Sequence, residues 1–373
     1  MASVARLRPL GWVVALVLFA LAGVPRPALA TPRLDLQQLR LRDGHLWAPR
    51  ADGRLVRLGL DPKLQRRARQ LLEGSRAPEG AIAVVEVATG RVLAWASHGP
   101  EDFVATPRFP PASLAKVVTA AALLEGHHVY RKTPQCFSGG LRSLTWPDVE
   151  ALCRPGEPKV AFGDALGRSL NVVFGRLAVH HLDGEVLAQQ AAALSFTGAP
   201  PLDVAAGRSV YDFPAKGLDL ARAAAGFQRG AKVSPASVLA MMQTIAAGGV
   251  EHELHLLDQP PVIRGRRLEK STAQALQRML AVTTVRGTSR EAFRAQKGRP
   301  SYRAAGKTGT LVLGKPRRMI SWFTGFAPAE APEVAVVVML ANDISWWRKG
   351  NQVGRDVLDA YFAGERRHFQ PER

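Results

Sequence analysis

Cysteine is almost missing from this 373-residue chain: only Cys136 and Cys153 occur. Two cysteines allow at most one disulfide, so no cysteine framework holds the fold. Acidic residues are also few, 31 against 50 Lys and Arg, which leaves a formal net charge of +19. Metal-ligand spacing is lacking too. His252-Glu253-Leu254-His255 is one residue short of H-E-x-x-H, so its histidines miss the i, i+4 alignment of a helical zinc site. His127-His128 and His180-His181 are isolated pairs and read as surface histidines. There is no internal repeat, no low-complexity tract, and no apolar run long enough to cross a membrane comfortably, which takes about 20 residues.

The longest apolar run, Trp12 to Val24, follows Arg6 and Arg8 and precedes Ala28-Leu29-Ala30. A basic start, a short apolar stretch and an A-x-A site describe a signal peptide over 1–30, cleaved after Ala30. An uncleaved anchor is the alternative, weakened by Pro25 and Pro27. The expected product is exported, periplasmic or otherwise extracytoplasmic, with peripheral or no membrane contact. Removing the leader's Arg6, Arg8 and Arg26 leaves a charge of +16, which favours anionic lipid or anionic wall polymer outside the cytoplasm. Nucleic acid is not expected, because the arginines are scattered and no basic stripe is interleaved with aromatics. In an oxidising compartment Cys136 and Cys153 are either a disulfide or two thiols.

Hydrophobic residues make up 47% of the chain, enough for one large domain after a short extension. Residues 31–60 read as a linker or a small strand pair. Asp61-Pro62 then opens a helix, with Leu64, Ala68, Leu71 and Leu72 at helical spacing. Residues 81–96 predict a hairpin turning at Thr89-Gly90. Phe109-Pro110-Pro111-Ala112 delivers the chain to a long apolar helix starting at Ser113. Residues 160–250 read as mostly helical, ending with a helix from Pro235 to Gly248-Gly249. Strands are expected at 307–312, 320–326 and 334–340, then a helix at 352–362. Early and late strands around a helical middle predict an α+β fold: one antiparallel sheet covered by helices, with an all-helical subdomain.

Three short motifs carry chemistry. Ser113 and Lys116, three apart on a helix, share a face. Ser113 sits where unpaired N–H groups and the positive dipole end favour an oxyanion. Lys116 can act as a base only if burial or a second cation lowers its pKa, and Lys307 is a candidate for that cation. Ser169-Leu170-Asn171 offers a hydroxyl for proton relay and an amide to hold a substrate backbone. Lys307-Thr308-Gly309-Thr310 begins a strand. Lys307, Thr308 and Thr310 offer a charge and hydroxyls to a substrate carboxylate, and Gly309 leaves room against the backbone. The Thr310 N–H can join that of Ser113 in an oxyanion hole. Taken singly each motif reads as a helix cap or strand start. Their order in one chain describes an acyl-transfer site without a cofactor or metal.

At these motifs the chain resembles the penicillin-binding, serine-active-site transpeptidase family, of the β-lactamase-like superfamily. Leu60-Asp61-Pro62-Lys63-Leu64-Gln65, Thr89-Gly90-Arg91-Val92-Leu93-Ala94, Val233-Ser234-Pro235 through Gly248-Gly249, and Arg286-Gly287-Thr288 extend the likeness over residues 60–362. Ala247 stands where asparagine is usual. The resemblance implies a catalytic domain over 61–365. Ser113 would attack a D-Ala–D-Ala stem peptide of the wall with Lys116 as base. Ser169, Asn171 and Lys307 would assist, and β-lactams would be covalent inhibitors. Other wall-synthesis proteins are candidate partners. Nothing ahead of residue 60 has room for a glycosyltransferase domain. A D,D-carboxypeptidase is the near alternative. A β-lactamase would need a deacylating glutamate in E-x-x-x-N, whereas here Glu185 is followed at that spacing by Gln189. A non-catalytic wall- or β-lactam-binding protein is a further alternative, opposed by the intact motifs.

Overall fold

The structure, a computed structural model, describes residues 34–315, 317–343 and 346–368, with side chains to residue 364. The expected leader at 1–30 lies outside the described residues. Residues 34–60, the described part of the expected linker or strand pair, form more than a pair. β1 (Arg40–Arg42), β2 (His45–Pro49) and β3 (Leu55–Arg57) make a small three-stranded antiparallel sheet. Asp43 and Gly44, both at positive φ, turn β1 into β2.

α1 (Pro62–Ser75) starts as expected: the Asp61 carboxylate accepts the Leu64 N–H at 2.7 Å, and Pro62 fills the first turn. The hairpin of β4 (Glu79–Glu86) and β5 (Val92–His98) follows. A 3-10 turn at Ala112–Leu114 leads into α2 (Ala115–Glu125). Next come β6 (Pro134–Cys136), α3 (Trp146–Val149), β7 (Lys159–Ala161), α4 (Phe162–Gly167), α5 (Asn171–His181), α6 (Gly184–Ala193), α7 (Gly217–Ala224) and α8 (Pro235–Ala246). The middle is thus helical with one long irregular stretch, residues 194–216. β8 (Val250–His252), β9 (Ile263–Arg266) and α9 (Lys270–Val285) precede β10 (Ala305–Leu313), β11 (Arg318–Ala327), β12 (Val334–Asn342) and α10 (Gly350–His368).

The main sheet joins the two ends of the chain in the order β10-β11-β12-β4-β5, all antiparallel. Its central strands are apolar on both faces because helices cover both. Ile82, Val84, Val336 and Val338 pack with Leu64, Ala68, Leu71 and Leu72 of α1, and with Val353 and Val357 of α10. The alternate residues Ala81, Ala83, Val85, Val337 and Met339 face α8, and α2 is buried in the same core. Every residue of α2 from Ala115 to Leu124 is buried, so this helix is apolar all round except for Lys116 and Thr119. β10 is an edge strand, and the 3-10 turn packs against it.

Cys136 and Cys153 are joined in a disulfide that closes a span of 17 residues. Arg176 of α5 reinforces it from below. Its buried guanidinium donates to the carbonyls of Cys136, Asp148 and Leu152 and forms a bidentate pair with Glu157 at 2.7 and 2.8 Å. That pairing pulls Glu157 down to about 2. A loop of this length predicts a contribution of about 3 kcal/mol from the disulfide. Urea unfolding of Cys136→Ser/Cys153→Ser should show that loss, and a loss under about 1 kcal/mol would contradict it.

Candidate active site

The approach segment reaches Ser113 under constraint. Trp322 of β11 donates its indole N–H to the Pro110 carbonyl at 2.9 Å. Ala112 is held at φ 50°, a left-handed conformation that costs a non-glycine residue on the order of 1–3 kcal/mol. Gly226 lies across from it: a Cβ built there would sit 2.3 Å from the Ala112 oxygen. On the other side a Cβ on Gly309 would lie 2.6 Å from the Pro111 oxygen. The reason for Gly309 therefore differs from the one expected. Its missing side chain admits the protein's own backbone and brings β10 against the turn that carries Ser113.

Ser113 is half-buried in the 3-10 turn, not yet in α2, and among the described residues its backbone N–H makes no backbone hydrogen bond outside that turn. Lys116, fully buried, reaches back one turn so that Nζ lies 2.8 Å from Ser113 Oγ. Nζ also donates to the Ala225 carbonyl at 2.5 Å. Three successive carbonyls at the end of α7 are used in this way. Ala223 accepts from the Tyr211 hydroxyl, Ala224 from Thr119 and Ala225 from Lys116. Sequence reasoning misses Ala225 and Gly226. Their roles are made by backbone atoms, and an Ala-Ala-Ala-Gly run carries no polar side chain to signal them.

Ser169 also adopts a left-handed conformation, at φ 60°, between α4 and α5. Lys307 of β10, fully buried, donates to Ser169 Oγ at 2.9 Å and to the Thr308 carbonyl at 2.9 Å. Gly167 and Gly287 pack so closely that a Cβ on Gly287 would lie 2.2 Å from the Gly167 oxygen, which locks the Ser169 turn to the loop after α9. That loop brings Thr288 to Thr308, hydroxyl to hydroxyl at 2.6 Å. The period of two in β10 turns Thr308 and Thr310 away from the face that carries Lys307 and Gly309.

Asn171 has a task that the sequence does not announce. Its amide nitrogen donates to the carbonyls of Gly140 and Leu141, both at 2.9 Å, and so holds a loop, while its side-chain oxygen is a separate acceptor for the expected substrate N–H. The structure also separates what the rival readings needed. Glu185 bonds Gln189 on the exposed side of α6. His252 Nδ1 pairs with the Gln243 amide and His255 Nδ1 with the Leu257 carbonyl. His128 and His181, from different pairs, stack at 5.4 Å.

Electrostatics distinguish the two lysines from surface amines. Burial drives the Lys116 pKa well below the ordinary value, and the neighbouring Lys307 charge pushes it further. Burial lowers Lys307 to about 7. A neutral Lys116 can donate to Ala225 and accept the Ser113 hydroxyl proton at once. The folded state therefore binds fewer protons than the unfolded chain, whose lysines titrate near about 10.4. Stability must rise with pH from about 7 towards 10, by roughly 1.4 kcal/mol per pH unit for each neutral lysine. Unfolding free energies measured from about pH 7 to 9.5 should climb in the native chain and climb less in Lys307→Met. Parallel profiles would contradict the assignment of neutral buried amines.

Comparison with known proteins agrees with this architecture. A model of the penicillin binding protein transpeptidase domain matches residues 80–358. The chain is 24% identical to Stage V sporulation protein D of Bacillus subtilis, over 84% of this chain and 53% of that protein. It is 27% identical to Peptidoglycan D,D-transpeptidase PbpA of Mycobacterium tuberculosis, over 82% of this chain and 72% of that one. It thus spans about half the length of the first and under three quarters of the second. A penicillin G acyl-enzyme complex of penicillin-binding protein A from M. tuberculosis has the same fold, with a TM-score of 0.66 at 21% identity over 82% of this chain and 80% of that one. With three quarters of its length matched and its sheet and helices arranged alike, the chain belongs to the penicillin-binding protein transpeptidase domain family.

Proposed function

We propose that this chain is an exported serine D,D-transpeptidase that acts on the D-Ala–D-Ala end of peptidoglycan stem peptides through an acyl-enzyme on Ser113. The single observation that carries the reading is the doubled pair: Lys116 Nζ at 2.8 Å from Ser113 Oγ, and Lys307 Nζ at 2.9 Å from Ser169 Oγ, with both amines buried. Export rests on the leader-like residues 1–30.

Neutral Lys116 takes the Ser113 proton as Oγ attacks the carbonyl of the penultimate D-alanine. The oxyanion develops beside the Ser113 N–H at the start of the turn and α2. As the C–N bond breaks, the terminal D-alanine amine needs a proton. The protonated fraction of Lys307, whose pKa is about 7, supplies it through Ser169, to which it is hydrogen-bonded. An acceptor amine then takes the acyl group from Ser113; its own proton passes through Ser169 to Lys307, and Lys116 returns its proton to Ser113 Oγ. A β-lactam follows the same first half. Among the described residues no carboxylate is hydrogen-bonded to Ser113, and Glu185 is engaged by Gln189. This favours a long-lived adduct over rapid hydrolysis.

Labelled penicillin should bind covalently to the native chain and not to Ser113→Ala, with an adduct that outlasts minutes. Turnover within seconds would instead make the protein a β-lactamase. Labelling that is absent, or equal in the two proteins, would make it a non-catalytic binder. Incubation with purified muropeptides should yield cross-linked dimer, whereas trimmed monomer alone would make it a D,D-carboxypeptidase.

A further inference from the structure

The loop that holds Asn171 is more rigid than its exposure suggests. It leaves β6 at Cys136 and returns at Cys153, and the disulfide and Arg176 tie both ends. Between them it is pinned at several points. The Phe137 ring lies under the Arg168 guanidinium at 5.0 Å. Gly140 and Leu141 give their carbonyls to Asn171. Leu144 is fully buried against Gly140 and Gly175, and its carbonyl accepts from Arg222 at 3.2 Å. Thr145 and Asp148 close a capping box at the start of α3. Gly139 and Gly140, both at φ 67°, let the backbone take this path.

One side chain in this frame stays in solvent. Leu141 is 83% exposed, the most exposed large apolar residue among those described. Its backbone stands directly on the Asn171 amide, and Asn171 is two residues from Ser169 and its lysine. Arg168 and Asn171, on either side of Ser169, both touch the loop. A large apolar side chain on a fixed backbone next to Asn171 can bind with little further ordering cost, since the loop is already held. Arg168, exposed and stacked on Phe137, supplies a cation on the same loop.

We propose that Leu141 is a specificity-determining contact for the acyl donor, taking an apolar side chain of the donor peptide upstream of the scissile bond, with the disulfide and Arg176 fixing its place. The proposal rests on the D,D-transpeptidase reading. The donor peptide extends from Ser113 along the Ser169–Asn171 side, where it meets Leu141. A β-lactam nucleus without an acylamino side chain, such as 6-aminopenicillanic acid, has no group upstream of the reacting carbonyl to reach Leu141. The Asn171 amide, already committed to the loop, acts as a positioning residue for Leu141.

The test uses the full chain and two probes: 6-aminopenicillanic acid, a penicillin nucleus without a side chain, scored by the rate of acyl-enzyme formation in mass spectrometry, and an N-acetylated tripeptide ending in D-Ala–D-Ala, scored by D-alanine release. Leu141→Ala should lower the ratio of the peptide kcat/KM to the penicillin acylation rate about fivefold to tenfold, chiefly through the peptide KM. Leu141→Met should restore most of that ratio. Ile263→Ala, a control that removes a 68% exposed side chain from β9, should leave the ratio unchanged. An unchanged ratio in Leu141→Ala, or an equal fall for both probes, overturns the proposal while the functional reading stands. Failure of the unsubstituted chain to acquire a penicillin adduct removes the functional reading, and this proposal with it.

Discussion

Two lysines with no access to water, each hydrogen-bonded to a serine, are the constraint on which the rest of the structure depends. Burying an ammonium in an apolar helix is costly, and two of them near one another more so. The fold meets that cost by lowering the proton affinity of both amines and by giving each a carbonyl to donate to, Ala225 for Lys116 and Thr308 for Lys307. The result is chemically useful. An amine that is neutral near pH 7 can take a proton from a hydroxyl, and a solvated lysine cannot. After transfer the protonated amine keeps the Ala225 carbonyl as a hydrogen-bond acceptor.

Bringing three distant segments onto these amines requires backbone contacts closer than any side chain permits. Gly226 against Ala112, Gly309 against Pro111 and Gly287 against Gly167 are three places where this occurs. Each joins a segment that carries a serine or lysine to a segment that does not follow it in the chain. The strained turns at Ala112 and Ser169 are held by the same contacts. The main sheet supports the arrangement from behind. Its edge strand carries Lys307, and β11 fixes the approach to Ser113 through Trp322.

Much of this is legible in the residues. The Asp61-Pro62 start, the Thr89-Gly90 hairpin and the apolar runs of the late strands are local signals, and each element forms where expected. The pairing of Ser113 with Lys116 follows from helical spacing, and Ser169 and Lys307 are recognised with them by the order of the motifs. What escapes is non-local or made by backbone. Nothing in a run of alanines before Gly226 says that the last of its carbonyls will accept from Lys116. The space expected beside Gly309 for a substrate is filled by Pro111. The Asn171 amide nitrogen also holds the carbonyls of Gly140 and Leu141, a task with no local signal. Such uses depend on which segments meet, and a single sequence does not display that. The disulfide is one of two readings open at the sequence level, because two cysteines 17 residues apart are compatible with either.

The central claim is that Lys116 is neutral at working pH because it is buried beside Lys307. NMR titration of the 13C-labelled ε-methylene of Lys116 in the full chain tests it most directly. The account predicts a midpoint well below the ordinary lysine value of about 10.4, moving upward when Lys307 is replaced by methionine. A midpoint near about 10.4 in the native chain, or one unmoved by Lys307→Met, would contradict it.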